Sequence, residues 1–139
     1  MVVEEICHWP VGPGINKKSK GMKNLIRFEE MALFALALYL NSFLPFPPWL
    51  FWAFFLVPDI GILGYLANPK VGAASYNLLH HKGIALACYF LGYYLALHEV
   101  TFAGVVLLGH SSFDRIFGYG LKYTDAFRHT HLGLIGRKK

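Results

Sequence analysis

Residues 49–67 read WLFWAFFLVPDIGILGYLA, and Asp59 is the one charged side chain among them. At about 1.5 Å of rise per residue, a helix of this length crosses a hydrocarbon core about 30 Å thick. The run is apolar on every side. A membrane barrel strand would instead alternate apolar and polar residues in segments of about ten. An acid at mid-bilayer costs roughly 2.5–3.5 kcal/mol, so Asp59 calls for a partner, for water, or for a function. A simpler role is also open: Pro58 breaks the helical ladder, and an adjacent Asp can bond the freed backbone.

Outward from this run lie three more apolar stretches. One covers about 25–44 and is stopped by Pro45, Pro47 and Pro48. Another covers 83–97, extensible back to Val71. The last covers about 100–119. Of the 139 residues, 55% are hydrophobic and 15% charged, against about 45–50% and about 25% in soluble domains. A chain this short cannot hide so much apolar surface in a core of its own. Disorder, coiled coil and a nucleic-acid-binding module are excluded on the same ground. The expectation is an all-α fold, a bundle of four transmembrane helices over 25–139 with a basic C-terminal tail. A flexible basic arm over 1–24 precedes it, in which Pro10, Gly12, Pro13 and Gly14 break helix. That arm does not read as a signal peptide, and Met22 is an alternative start. Cys7 and Cys88 form neither a disulfide framework nor a metal-knuckle spacing.

Charge placement orients the bundle. Of the 13 Lys and Arg, five precede or open the first stretch, two lie between the second and third, and six lie at or after the end of the fourth. The positive-inside rule then places both termini in the cytoplasm, in a multi-pass protein of the inner (plasma) membrane. The lipid bilayer is the expected partner, and the net charge of +5 is an orientation signal rather than a nucleic-acid footprint.

Ionisable residues cluster at one inferred depth. Counting from the expected inner helix ends, Asp59, His80 and His110 lie about 12 Å deep and Asp114 about 6 Å. Asn77 and Glu29 lie nearer the cytoplasm. His110 and Asp114, at i and i+4, share a helix face. Imidazoles and carboxylates converging from several helices suit Zn, Fe or Mn. Each residue also has a plain reading: a hydrogen-bonded core His, an Asp114–Arg115 interfacial pair, and Asn77 as helix glue. The run from Arg115 to Lys139 is basic and glycine-spaced. It reads equally as a lid over the cytoplasmic mouth or as a solvated tail.

The stretches LVPDIGILGYLANPKVGAASYNLLHH, LLGHSSFDRIFGYGLKY and THLGLIG resemble a family of small bacterial membrane proteins known as domain of unknown function 4260. The resemblance covers about 27–137, and its most specific motif is GHxxFDRxxGYGLKY, from Gly109 to Tyr123. It implies four membrane helices and no settled activity. It also adds His131 to the possible metal ligands, and its pattern includes Tyr123.

The leading expectation is a membrane-embedded, metal-dependent hydrolase or oxidase acting on a lipid-like substrate at the cytoplasmic leaflet. His80, His110 and His131, with Asp59 or Asp114, would hold the ion, and Glu29 or the remaining Asp would act as general base. Arg115 and Lys122 would hold the substrate's anionic group, with Asn77 and Tyr123 as further substrate-binding candidates. A structural or accessory protein and a small proton or ion transporter are the alternatives.

Overall fold

The structure, a computed structural model, describes residues 13–135, with side chains described from Lys20 on. The chain is mostly helical. Helix α1 (Pro13–Asn41) comes first, followed by a proline-rich turn and the short α2 (Trp49–Phe54). A 3₁₀ helix (Val57–Leu66) continues directly from α2. Then come α3 (Pro69–His80), α4 (Lys82–Tyr94) and α5 (His98–Phe117). A two-stranded antiparallel hairpin, β1 (His129–Thr130) and β2 (Gly133–Leu134), closes the described chain.

Three boundaries differ from the sequence reading. The first helix begins at Pro13, twelve residues before the expected start. A proline in the first helical turn lacks only an N–H that has no intrahelical partner there, so Pro13 opens the helix rather than breaking it. The expected arm is therefore helical over 13–24, and its residues 1–12 lie outside those described, as do 136–139 of the tail. The second stretch changes winding at Val57, where Pro58 removes one ladder donor and the helix tightens to 3₁₀. The third is two helices, not one. At His81 the backbone turns extended (φ −85°, ψ 114°), and the imidazole Nδ1 accepts from the Gly83 N–H to cap α4. The hairpin in the tail was not expected from the sequence.

Helix α5 is the central element. Its buried face runs from Thr101 to Ser112 and lies between α1 and α4. Ala37, Phe51, Phe55, Ala85, Phe102, Val105, Val106 and Leu108 form one core around it. Helix α3 lies along the 3₁₀ helix, and that contact depends on glycine. A Cβ on Gly64 would stand 2.2 Å from the Ser75 Oγ and 2.9 Å from the Val71 carbonyl. The Ser75 hydroxyl spans the gap, donating to the Gly61 carbonyl at 2.6 Å. Close approach of two backbones over small residues is a common solution for helices with no hydrophobic drive between them.

One helical stretch among the described residues, Trp49–Leu66, is long and apolar enough to cross a membrane, with mean hydropathy 1.6. It is not a core helix, for only 22% of it is buried. The other segments are interrupted or carry charge: α3 and α4 are each about 18–20 Å long, and α5 holds Glu99, Asp114 and Arg115.

Gly64→Val should destabilise the protein by about 1–3 kcal/mol through overpacking, measured as detergent-state unfolding followed by helicity. Unchanged stability would contradict the packing described for α3 on the 3₁₀ helix.

Candidate metal centre

Two chain breaks and one continuous helix bring the ionisable groups together. Asp59 lies in the first turn of the 3₁₀ helix, and His80 is the last residue of α3. His110 and Asp114 lie one turn apart on α5. Each offers one ligand atom, and the four atoms lie within 4.8 Å of one another. The two Nε2 atoms stand 3.1 Å apart. Asp59 Oδ1 is 3.5 Å from His80 Nε2 and 3.3 Å from His110 Nε2. Asp114 Oδ2 is 3.4 Å and 3.8 Å from the same two nitrogens. Ligands at about 2.0–2.2 Å from a tetrahedral ion stand about 3.3–3.6 Å apart. These five edges scatter around that value, and the sixth, between the two carboxylates, lies within 4.8 Å, so the donors are close enough together to share one ion.

The surroundings orient these groups. His80 Nδ1 lies 2.8 Å from the Tyr76 carbonyl, which can only accept, so Nδ1 carries the proton. The neutral ring then presents the Nε2 lone pair to the cluster, as a metal ligand must. The Tyr76 hydroxyl donates to Asp114 Oδ2 at 2.9 Å, and its ring stacks on His80 with centroids 3.7 Å apart. His110 meets the Phe55 ring edge to face, and its Nδ1 has no hydrogen-bond partner among the described residues. With its proton on Nε2, His110 donates to His80; with the proton on Nδ1, it turns a second lone pair inward. Both imidazoles are almost fully buried, at 4% and 2% side-chain exposure, while Asp59 is 40% exposed and Asp114 18%. The carboxylates thus form the open side of the cluster.

That open side faces a pocket of about 180 Å³ lined by Asp59, Ile62, Tyr76, Asp114, Tyr119, Lys122, Phe127 and Ile135. Lys122 is buried there, its ammonium 3.1 Å from the Phe127 carbonyl and over the rings of Phe127 and Tyr76. Burial holds its pKa below that of an ordinary lysine, while Asp114 and Asp59 pull it back up. Farther along the loop, His129 donates to Asp125 at 2.7 Å and keeps that exposed carboxyl below its usual range.

The remaining expected site residues fall elsewhere. His131 is not in the cluster: its Nδ1 accepts from the Leu121 N–H at 2.8 Å, and its ring lines a different pocket. Glu29 is exposed on α1. Its neighbour Glu30 is buried instead, in ionic contact with Lys82 and 3.8 Å from Arg115. Arg115 lines the same pocket as His131, apart from the cluster. Asn77 is engaged by the backbone of Lys122. Its amide donates to the Lys122 carbonyl at 2.8 Å and accepts the Lys122 N–H at 2.7 Å, latching the loop to α3. Tyr123 is exposed, with its ring beside His129. Tyr76 was missed by the sequence reading; its place one turn before His80 is the only signal of it.

Asn77→Ala removes both bonds of the latch, at a cost of about 1–3 kcal/mol. Limited proteolysis should then cleave the 121–128 loop faster than in the native protein, and an unchanged cleavage rate would refute the latch.

No curated protein and no solved structure matches the chain. A family model described as a domain of unknown function (DUF4260) matches residues 23–135, which include all four residues of the cluster and the loop over it. The chain belongs to that family.

Proposed function

We propose that this is a multi-pass membrane protein in which Asp59, His80, His110 and Asp114 bind one divalent cation, Zn, Fe or Mn. We propose further that the centre serves a hydrolase or oxidase acting on a lipid-like substrate at the cytoplasmic leaflet. The observation that carries the metal reading is the set of donor distances, 3.1 to 3.8 Å, between two imidazole nitrogens and two carboxylate oxygens. Two neutral imidazoles and two carboxylates sum to a charge that a divalent ion cancels, and buried charge is costly until cancelled.

The membrane reading is supported by the exterior. Leu56, Ile60, Leu63, Leu66, Phe90 and Tyr94 are each more than half exposed. Soluble monomers seldom show contiguous apolar surface on that scale. The grouping of the cations in the first half of α1, at the starts of α3 and α4, and at or after the end of α5 supports a four-span topology with both termini cytoplasmic.

A bound ion would supply Lewis acidity, and a coordinated water acidified to a pKa near 7 where that water takes a fifth position or the place of Asp59, the most exposed donor. The chain's own groups do the rest. Tyr76 fixes Asp114 and His80, and Asp59, the more exposed carboxylate, faces the pocket and can take up a proton there. Ile62, Phe127 and Ile135 give the pocket an apolar wall, and the Lys122 ammonium attracts an anionic group. An amphiphile offers both features in one molecule.

One observation favours a second reading, in which the cluster locks helices together without an ion. The 3.1 Å Nε2–Nε2 separation is itself hydrogen-bond distance. Elemental analysis of the detergent-purified protein separates the two. About one Zn, Fe or Mn per chain is expected, lost in both His110→Ala and Asp114→Ala while helicity persists. Metal-free native protein whose variants only lose stability would sink the metal reading. For topology, a cysteine at Pro47 should react with impermeant reagents from outside the cell only. Labelling from the cytoplasmic face would reverse the orientation.

A further inference from the structure

Asp114 and Arg115 are chain neighbours that serve different cavities. Asp114 lines the pocket over the metal cluster, and Arg115 lines a larger one of about 390 Å³. The larger cavity is walled by Lys23, Ile26 and Arg27 of α1, by Arg115 and Gly118 at the end of α5, and by His131 and Leu132 of the hairpin. Among the described residues no carboxylate lines it. Arg115 shares the acid Glu30 with Lys82. One carboxylate shared by two cations leaves a positive charge, and Lys23 and Arg27 add two more. His131 contributes a donor: Nδ1 accepts from the Leu121 N–H, so Nε2 carries the proton in the neutral ring. Guanidinium groups present paired N–H donors at the spacing of phosphate oxygens.

A second depression adjoins the first through Arg27. It has about 270 Å³ and is bounded by Asn24, Arg27, Phe28 and Met31 on α1. Phe28 is 69% exposed and Met31 51%. Cationic donors at one end and bare apolar side chains one helical turn further into the bilayer match the two parts of a phospholipid. The cytoplasmic leaflet, where the topology puts this end of α1, is also where anionic lipid concentrates.

We infer that Lys23, Arg27, Arg115 and His131 bind the phosphate of an acidic phospholipid whose acyl chain lies over Phe28 and Met31. This rests on the membrane reading above and not on the metal, since the two sites share no residue. Charge complementarity distinguishes the lipid from a neutral or zwitterionic one, and the apolar extension distinguishes it from free phosphate.

The test is native mass spectrometry of the full chain in a neutral detergent. It is titrated separately with phosphatidic acid, with phosphatidylcholine of the same acyl composition, and with inorganic phosphate. Phosphatidic acid should be retained in preference to both other probes. Arg27→Gln should weaken its retention about tenfold, the loss of one charge-assisted contact. Lys23→Gln with Arg27→Gln should abolish the preference. Both side chains are exposed, so helicity and metal content should not change in these variants. Equal retention of the two lipids, inorganic phosphate bound as tightly as phosphatidic acid, or variants indistinguishable from the native protein would each overturn the inference. A protein that stays monodisperse without detergent would instead overturn the membrane reading. Absent metal with an intact lipid preference would overturn the metal reading alone.

Discussion

Holding two buried imidazoles and two half-buried carboxylates within 4.8 Å of one another is the most demanding feature of this chain. Each carboxylate strongly favours water, and bringing two of them together adds repulsion. Such a group survives only if hydrogen bonds, a proton or a cation offset the cost. The surrounding structure supplies the first of these with economy. Tyr76 gives its carbonyl to His80 and its hydroxyl to Asp114, so one residue orients two of the four donors. What those bonds leave is a pair of inward-facing nitrogens with two carboxylate oxygens, a set complementary to a small divalent ion.

The irregular backbone follows from that requirement. A straight α-helix through 49–66 would keep the winding of α2 through Asp59. The 3₁₀ winding from Val57 rotates each later residue to a different face. It also narrows the helix, and Gly61 and Gly64 let it come against Ser75 and Gly72 of α3. The break at His81 ends α3 with His80 in its last turn, so the imidazole reaches His110 across the junction with α4. The residues at the two breaks, Val57 and His81, are themselves exposed, while the groups they position, His80 and Pro58, are buried.

This division also explains what could be read from residue order. The cost of ionisable groups in apolar runs singles out Asp59, His80, His110 and Asp114, because the argument needs composition and approximate depth only. Their common level was inferred by counting from ideal helix ends; they in fact meet through breaks that the count did not contain. Glu29 and Glu30 differ by about 100° around α1, and nothing local says which one turns inward. Asn77 meets the backbone of Lys122, forty-five residues later, and no side-chain pattern announces a partner of that kind. His131 entered through resemblance to a family motif, and a shared motif fixes residue type without fixing which cavity the side chain lines.

The last turn of α5 joins the two cavities mechanically. Adjacent helical residues point about 100° apart, so Asp114 and Arg115 necessarily face different neighbours. Asp114 faces the cluster; Arg115 faces α1, Glu30 and the hairpin. Gly118, at φ +91°, then ends the helix in a conformation that side chains rarely adopt and turns the chain back across both cavities. On the return, Lys122 and Phe127 close over the cluster while His131 and Leu132 close over the cationic pocket. Asn77 pins that loop to α3, the helix that also supplies His80 and Tyr76.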